Sequence, residues 1–153
     1  MGGDLFQGPD GKAPTLIVRA LRDPDGANLD RLQVVKGWVD ADGKPQTKVF
    51  DAAWSGKRAP DSDGNLPPVG STVEGAEYTN TIGAAALAGH WTDPEFDPAQ
   101  RAYYYLRVLE IPTPTWLAYD MAYYGDEVDL PDDALLEHQE RAYTSPIWYS
   151  PQK

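Results

Sequence analysis

Residues 31–53 read RLQVVKGWVDADGKPQTKVFDAA, a pattern that predicts two β-strands joined by a tight turn. Apolar and polar side chains alternate along 31–39, as they do in a strand that buries one face. The next five residues, 40–44, include Gly43, and glycine readily takes the positive φ that hairpin turns require. Residues 46–53 are the natural returning strand. This stretch therefore predicts a β-hairpin and favours an all-β fold.

Further β-strands are predicted on both sides of this hairpin. Residues 15–22, TLIVRALR, are rich in β-branched and aliphatic side chains and precede a cluster of turn formers. The strongest strand pattern lies in residues 100–111, QRAYYYLRVLEI, where three consecutive tyrosines suit a half-buried pleated surface. Shorter strands are expected within residues 72–80 and 145–150. Together these segments predict a sheet in which 100–111 is a central strand.

Turn formers separate the predicted strands. The chain contains 14 glycines and 14 prolines, and residues 56–70 consist almost entirely of turn-forming types, which predicts a long exposed loop. Alanine-rich residues 82–91 predict one or two helical turns, and residues 132–140 predict a second short helix. The predicted fold class is therefore mainly β: an antiparallel β-sandwich with long loops and one or two short helices, in a single domain over residues 1–153.

The charge of the chain argues against two classes of partner. It carries 24 acidic and 13 basic residues, a formal net charge of -11, which repels nucleic-acid phosphates and anionic lipid headgroups. We therefore expect no nucleic-acid partner. No apolar run approaches the roughly 20 residues of a membrane-spanning helix, and no signal peptide is recognisable, so we expect no membrane insertion. The absence of cysteine excludes disulfides and thiolate metal sites but leaves the cellular compartment open.

One acidic segment has the oxygen donors that calcium prefers. Asp23, Asp25, Asn28 and Asp30 place four oxygen-bearing side chains within eight residues. The segment lacks the glycine and the bidentate glutamate of an EF-hand loop, and Asp-Gly turns recur elsewhere in the chain. Ordinary turn chemistry is therefore the stronger interpretation, and a calcium-stabilised structural module is the alternative.

No catalytic residue is predicted within this chain. The two histidines, His90 and His138, are far apart and belong to no zinc-binding spacing. There is no GxSxG motif, no cysteine nucleophile and no lysine-bearing glycine loop for phosphates. His138 is expected on a solvated surface. His90, beside Trp91, is predicted either to be buried or to face a cleft, which makes it a weak binding candidate.

Aromatic and charged residues give the remaining candidates. Of the five tryptophans, Trp38 and Trp148 are predicted to be buried because they lie on strands, whereas Trp116 is expected to be exposed in a loop. An exposed tryptophan can stack on the apolar face of a sugar, so a carbohydrate-binding module is one functional hypothesis. Glu110 and Arg141 border the aromatic strands, and an ion pair between them would hold the loop that carries Trp116.

Three long segments carry a resemblance to a known family. They are ALRDPDGANLDRLQVVKGWVDADGK at 20–44, YTNTIGAAALAGHWTDPEFDPAQRAYYYLRVLEIPTPTW at 78–116 and QERAYTSPIWYSP at 139–151. In this order they resemble the C-terminal region of a bacterial family catalogued as domain of unknown function 3604, over nearly the whole chain. The resemblance implies a relation to the polymerase and histidinol phosphatase (PHP) metallohydrolases, with a C-terminal β-sandwich packed on the metal-binding part.

What the resemblance implies about function lies mostly outside this chain. The histidine and acidic ligands of a divalent metal, zinc or manganese, are expected upstream, in a catalytic domain of the same protein that would be the partner of this chain. Full-length relatives are expected to be periplasmic or exported. The chain itself is expected to be a non-catalytic module that supports or walls that metal site.

Two positions depart from the family pattern. The resemblance implies a glutamate where this chain has Ala86 and an arginine where it has Thr115, so a substrate contact shared with the family is in question at both. The first residues, MGGDL, align inside the family's sequence, which indicates a truncated reading frame or a fragment. A missing initial strand would leave an open sheet edge.

Overall fold

The computed structural model describes residues 2–6, 11–125 and 129–151. In this part of the chain there are ten β-strands and one α-helix. The strands are β1 (Gly3–Leu5), β2 (Thr15–Leu21), β3 (Leu29–Val39), β4 (Pro45–Trp54), β5 (Val73–Glu74), β6 (Glu77–Tyr78), β7 (Ala86–Thr92), β8 (Ala102–Pro114), β9 (Glu137–Tyr143) and β10 (Ile147–Tyr149), and the helix is α1 (Trp116–Tyr124).

Two layers of sheet form the fold. The larger layer is a six-stranded sheet in the order β1-β10-β8-β3-β4, with β9 also paired to β8. Along one edge of β8, β10 pairs with the first residues and β9 with the second half. The smaller layer is the antiparallel pair of β2 and β7, and β5 and β6 form a separate hairpin. Among the described strands only β1 and β10 pair in parallel, so the antiparallel, sandwich-like fold class predicted from the sequence is confirmed.

The predicted hairpin forms β3 and β4. Gly43 lies in its turn with a φ of 77°, where a residue with a Cβ would be strained. The Asp40 carboxylate accepts hydrogen bonds from the backbone amide of Lys44 at 2.9 Å and from the side-chain amide of Gln46 at 2.7 Å. These bonds lower the pKa of Asp40, because they favour its charged form. The turn residues recognised in the sequence therefore close the hairpin.

The core lies between the two layers. Leu32 and Val34 of β3 are fully buried, and they pack with Val18 of β2 and with Leu87 and Trp91 of β7. Burying one such side chain contributes about 1.5–3 kcal/mol relative to leaving it exposed. The smaller layer is therefore held on the larger one mainly by apolar contact, and β3 is its central support.

The prediction of helical turns at residues 82–91 is wrong, because β7 occupies 86–92. Leu87 and Trp91 alternate into the core, which only an extended chain allows. Gly89 lets β7 approach β4 closely, since a Cβ at this position would lie 3.0 Å from the carbonyl oxygen of Ala52. Tertiary packing here overrides the helix propensity of alanine.

The prediction of a helix at residues 132–140 is also wrong, because β9 begins at Glu137. The helix lies earlier in the chain, directly after β8, which continues through Pro112 and Pro114. In the sequence alone, these prolines indicate the end of the strand. The pairing of β8 with β3 ends at Glu110, and the backbone amide of Ile111 still donates to the carbonyl oxygen of Asn28 at 2.8 Å. Both prolines lie beyond these contacts, where β8 pairs with no described strand on that side, and proline is tolerated at such an edge.

The other predicted segments are close to what the structure contains. Residues 72–80 hold the small hairpin of β5 and β6, with Gly75 in its turn. Residues 145–150 contain β10, and 56–70 form no regular element. Within the described ranges, no helix has the length and apolar character needed to cross a bilayer.

Candidate functional site

A β-bulge interrupts the pairing of β8 with β9. Two residues of β8, Glu110 and Ile111, face one residue of β9, Glu140, because the register shifts between Leu109 and Pro112. Such a bulge bends its strand and redirects the side chains beside it, and bulges are frequent next to functional sites. The bulge therefore places Glu110 at an irregular part of the sheet.

The bulge borders a pocket, which we call the bulge pocket. Its volume is about 400 Å³, and its charged lining residues are Asp23, Glu110, Glu140 and Arg141. Apolar residues of β2, β3, β8 and β9 form the rest of the lining. Two of the residues singled out in the sequence, Glu110 and Arg141, thus lie at one pocket, together with Asp23 from the predicted calcium segment. No local signal in the sequence marks Glu140, which joins them only through the strand register.

Glu110 has an unusual electrostatic environment. Burial raises the pKa of its carboxyl group, the backbone amide of Ala27 opposes this shift by donating a hydrogen bond, and the negative charges of Glu140 and Asp23 raise the pKa further. In the part of the chain that the structure covers, no cationic side chain forms an ion pair with Glu110. The pocket therefore favours a proton on Glu110, or a positive charge brought from elsewhere.

Arg141 and Glu110 do not form the predicted ion pair among the described residues. Arg141 lies directly opposite Leu109 on the neighbouring strand and is exposed. The connection at the start of α1 comes instead from Thr115, whose hydroxyl group donates a hydrogen bond to the carbonyl oxygen of Leu135 at 2.9 Å. The segment that carries Trp116 is thus tied down by a neutral hydrogen bond.

Asp30 anchors the long loop at residues 56–70. Its exposed fraction is 1%, and its carboxylate accepts hydrogen bonds from Arg58 at 2.6 Å, from Gln139 at 2.9 Å and from Arg31 at 3.1 Å. The charge of Asp30 is therefore compensated by two guanidinium groups inside the protein. This use of Asp30 gives it a structural role in the fold.

The other members of the predicted calcium segment are also engaged. The side-chain amide of Asn28 donates hydrogen bonds to the carbonyl oxygens of Asn80 at 3.1 Å and Ile82 at 2.8 Å. Asp23 accepts a hydrogen bond from the backbone amide of Asp25 at 2.9 Å, which forms a local turn. The side chains of Asp23, Asn28 and Asp30 thus make separate contacts, and calcium binding stays a prediction.

The described residues do not fit a self-contained transition-metal site. Among residues 2–6, 11–125 and 129–151, no three His, Asp or Glu side chains are grouped so as to hold a metal ion. Glu110 and Glu140 are carboxylates without a histidine beside them in the bulge pocket, whereas zinc sites usually combine nitrogen or sulfur ligands. The zinc or manganese ligands implied by the family resemblance are not assembled from this part of the chain.

The helix α1 presents exposed aromatic rings. Trp116 is 73% exposed and Tyr123 is 82% exposed, with Tyr119 between them at 51%. The spacing of three and then four residues places the three rings on one helical face. Exposure of Trp116 agrees with the sequence-based prediction. The helix itself was not predicted, because its aromatic composition resembles that of a strand.

A second aromatic surface covers the outer face of the large sheet, and we call it the outer row. The rings of Tyr103 and Tyr105 stack with their planes 8° apart. The ring centroid of Trp148 lies 5.3 Å from that of Tyr103, and the ring centroid of Tyr143 lies 6.1 Å from that of Tyr105. Trp148 is 50% exposed, so the prediction that it is buried is wrong. It lies on a strand, but on the face that points away from the core. Trp38 is half-buried at the core margin.

The remaining sequence candidates lie on the small layer. His90 is exposed on β7, directly opposite Ile17 on β2, so it is neither buried nor part of the bulge pocket. Ala86, where the resemblance implies a glutamate, lies opposite Leu21, and Leu21 lines the bulge pocket. The departure from the family pattern at this position therefore falls at the margin of the same pocket as Glu110.

The comparison with known proteins gives one family and no individual relative. No curated protein and no solved structure matches the chain. The model of the family described as "Protein of unknown function (DUF3604)" matches residues 1–151. This match spans both sheets, the bulge pocket and α1. The chain therefore belongs to the DUF3604 family.

Proposed function

We propose that this chain is a non-catalytic β-module of a metal-dependent, phosphoesterase-like hydrolase, in which it supports or walls a metal site formed by another part of the protein. The observation that carries the proposal is the bulge pocket, where the Glu110 carboxyl group has no ion-pair partner among the described residues. The similarity of three long segments to the DUF3604 family, and through it to the PHP metallohydrolases, supports the type of enzyme.

The electrostatics of the bulge pocket suit a wall of a charged site. Three carboxyl groups, those of Asp23, Glu110 and Glu140, line it, and burial, with repulsion from the other two charges added to it, raises the pKa of Glu110. A cation beside Glu110 would relieve this repulsion and favour its ionised form. A divalent metal held mainly by ligands of a neighbouring domain, or a lysine or arginine of that domain, supplies such a charge.

Within this proposal the module contributes position and charge. A bound zinc or manganese would polarise a phosphoester and activate water. The bulge fixes Glu110 at the pocket through the register of β8 with β9. The Glu110 carboxylate would orient groups at the edge of that site, and the apolar lining of the pocket would limit the access of water.

Two measurements test this function. The chain alone, incubated with zinc or manganese and p-nitrophenyl phosphate, should release no p-nitrophenol above the metal-only background, and genuine turnover by the chain would exclude a non-catalytic role. In a protein that contains both the module and its catalytic domain, Glu110→Gln should weaken metal retention or activity. The matched control Glu77→Gln, on the exposed strand β6, should leave both unchanged.

Carbohydrate binding is a second candidate function, and the exposure of Trp116 favours it. A ring that is 73% exposed, followed by Tyr119 and Tyr123 on the same face of α1, offers a surface on which the apolar side of a pyranose can stack. Calorimetric titration with a panel of glycans should then show binding that Trp116→Ala abolishes. Trp148→Ala is the control, because Trp148 pairs with the opposite end of β8. A flat titration across the panel would remove this candidate.

A further inference from the structure

The strand β2 has one free edge. It pairs with β7 along its whole length, and these two strands are the complete small sheet of the described chain. Edge strands expose unpaired N–H and C=O groups, and native proteins usually shield them with charge, proline, a bulge or a covering segment. β2 is seven residues long and its register with β7 contains no bulge. Its free edge therefore presents a regular row of backbone N–H and C=O groups with which another strand could pair.

The register identifies which backbone groups point away from β7. The backbone amide of Arg22 donates to the carbonyl oxygen of Ala85 at 3.0 Å. In an antiparallel pair every second residue exchanges such bonds with its partner strand, and the residues between direct their N–H and C=O groups to the other side. The backbone N–H and C=O groups of Leu16, Val18 and Ala20 therefore form hydrogen bonds with β7. The backbone groups of Ile17 and Arg19 point to the free edge.

A groove of about 480 Å³ runs beside this free edge. Residues 15–19 of β2 form one wall, and Tyr104 and Leu106 of β8 and Ile147 of β10 line it from the large sheet. The groove exists because the small layer is narrower than the large one. β7 lies over β4 and β3, and β2 lies over β3, so β8, β10 and β1 continue beyond the cover. Ile17 is 88% exposed on the outer side of the same strand.

We propose that this groove accepts an extended peptide segment, which adds to the free edge of β2 as a third strand of the small sheet. The backbone of the segment would bond the N–H and C=O groups of Ile17 and Arg19. Its alternate apolar side chains would fill the groove over Tyr104 and Leu106, in the manner of β-strand addition. This inference is independent of the function proposed for the bulge pocket.

The positive charge of Arg19 indicates a further property of the peptide segment that would bind β2. Arg19 is the cationic residue on the exposed face of β2, in a protein with a net charge of -11. An acidic side chain directly across from it in the added strand would form a favourable cross-strand pair. The expected partner is thus an extended segment with alternating apolar residues and an acidic residue beside Arg19.

A second copy of the chain does not fit this edge. The large sheet continues past β2 by β8, β10 and β1, a distance of about 10–14 Å at the usual interstrand spacing of about 4.8 Å. If the β2 strands of two copies met edge to edge, these two extensions would occupy the same space. A single extended segment has no such obstacle.

The test uses a synthetic, capped heptapeptide of alternating valine and threonine with a central glutamate. Upon its addition, amide hydrogen exchange at Ile17 and Arg19 should slow at least ten-fold, while Val18, already bonded to β7, should change little. A peptide of the same composition with its valines in one block should not produce this protection. Equal protection by both peptides, or no protection at millimolar peptide, would overturn the proposal.

Two variants separate edge pairing from general apolar binding. Ile17→Pro removes the N–H group that faces the groove and should abolish peptide binding, whereas Ile17→Thr keeps that group and should retain it. Arg19→Glu should prefer a heptapeptide with central lysine over the glutamate form by about two- to five-fold, which corresponds to a cross-strand pair of about 0.5–1 kcal/mol. Arg19 is on the solvent side, so the Arg19→Glu variant should fold. The reversal of preference therefore tests the proposal even if Ile17→Pro does not fold. An unchanged preference would contradict the assigned register.

Discussion

The Nζ atom of Lys36 lies 2.6 Å from Oδ2 of Asp93, and the exposed fractions of the two side chains are 3% and 0%. The hydroxyl group of Tyr104 donates to the same carboxylate oxygen at 2.7 Å, and Lys36 also donates to the carbonyl oxygen of Glu95 at 2.8 Å. Burial and the hydrogen bond to Asp93 raise the pKa of Tyr104, so the phenol stays protonated as a donor. This cluster joins β3, β8 and the segment after β7 inside the protein.

Lys36→Met should strongly destabilise the protein. It leaves the Asp93 carboxylate buried without its cation, and the loss of one partner of a buried pair typically costs about 3–5 kcal/mol. Urea unfolding at pH 7 measures the change in free energy of unfolding. The matched control is Lys48→Met, because Lys48 pairs with Glu95 at the surface with exposed fractions of 47% and 48%, and such pairs contribute about 0–1 kcal/mol. Equal losses in the two variants would contradict the distinction.

Adding Asp93→Asn to Lys36→Met should recover part of the lost stability. The second change removes the uncompensated charge but keeps an oxygen that accepts the hydrogen bond from Tyr104. The same urea titration, with the Asp93→Asn single variant included, gives the coupling energy of the pair. If the double variant is less stable than Lys36→Met alone, burial of the unpaired carboxylate is not the cause of the loss.

The raised pKa of Glu110 makes stability depend on pH in a defined direction. Because the folded protein favours the protonated carboxyl group, the stabilisation from Glu110 is fully present below its ordinary pKa of 4.5 and is lost as the pH rises through the folded pKa. Glu110→Gln removes this titration and keeps an acceptor for the Ala27 amide. The variant should therefore gain stability relative to the native chain between pH 4 and pH 7.

Urea unfolding of both proteins at pH 4 and pH 7 measures that difference. Glu77→Gln, on the exposed strand β6, is the control and should track the native chain at both pH values. A second check uses Glu140→Gln, which removes a charge that raises the pKa of Glu110. Carboxyl NMR titration should then give a lower pKa for Glu110, and an unchanged value would refute the interaction across the bulge.

Arg58→Lys should release the long loop at residues 56–70. Arg58 bonds Asp30 and, through a second nitrogen, the carbonyl oxygen of Pro67 at 2.8 Å. A lysine supplies a single ammonium group and cannot hold both acceptors in this planar geometry. Limited proteolysis should cut within the loop sooner in the variant, whereas Lys57→Ala at the exposed neighbouring position should leave the rate unchanged.

Local sequence patterns predicted the elements whose structure depends mainly on residues that are neighbours in the chain. The hairpin at residues 31–53 follows from strand alternation and an Asp-Gly turn. Trp116 is exposed as predicted, although it begins α1 and does not lie in a loop. The bulge beside Glu110 could not be predicted in this way, because it results from the register of three strands that are far apart in sequence. The strand at residues 86–92 was missed for the same kind of reason: its partner β2 begins at Thr15.

Gly37 and Tyr103 lie directly opposite each other on β3 and β8, and the tyrosine ring occupies the space where a Cβ of residue 37 would be. Gly37→Ala should therefore force the ring to move and reduce the free energy of unfolding by about 1–3 kcal/mol. In a Tyr103→Ala background this obstacle is absent, and alanine should be favoured over glycine by about 0.5–1 kcal/mol, because it has less conformational entropy to lose on folding. A double-mutant cycle by urea unfolding should thus show a reversal of sign. Destabilisation by Gly37→Ala in both backgrounds would mean that the glycine is required for the backbone of β3 and not for the ring that covers it.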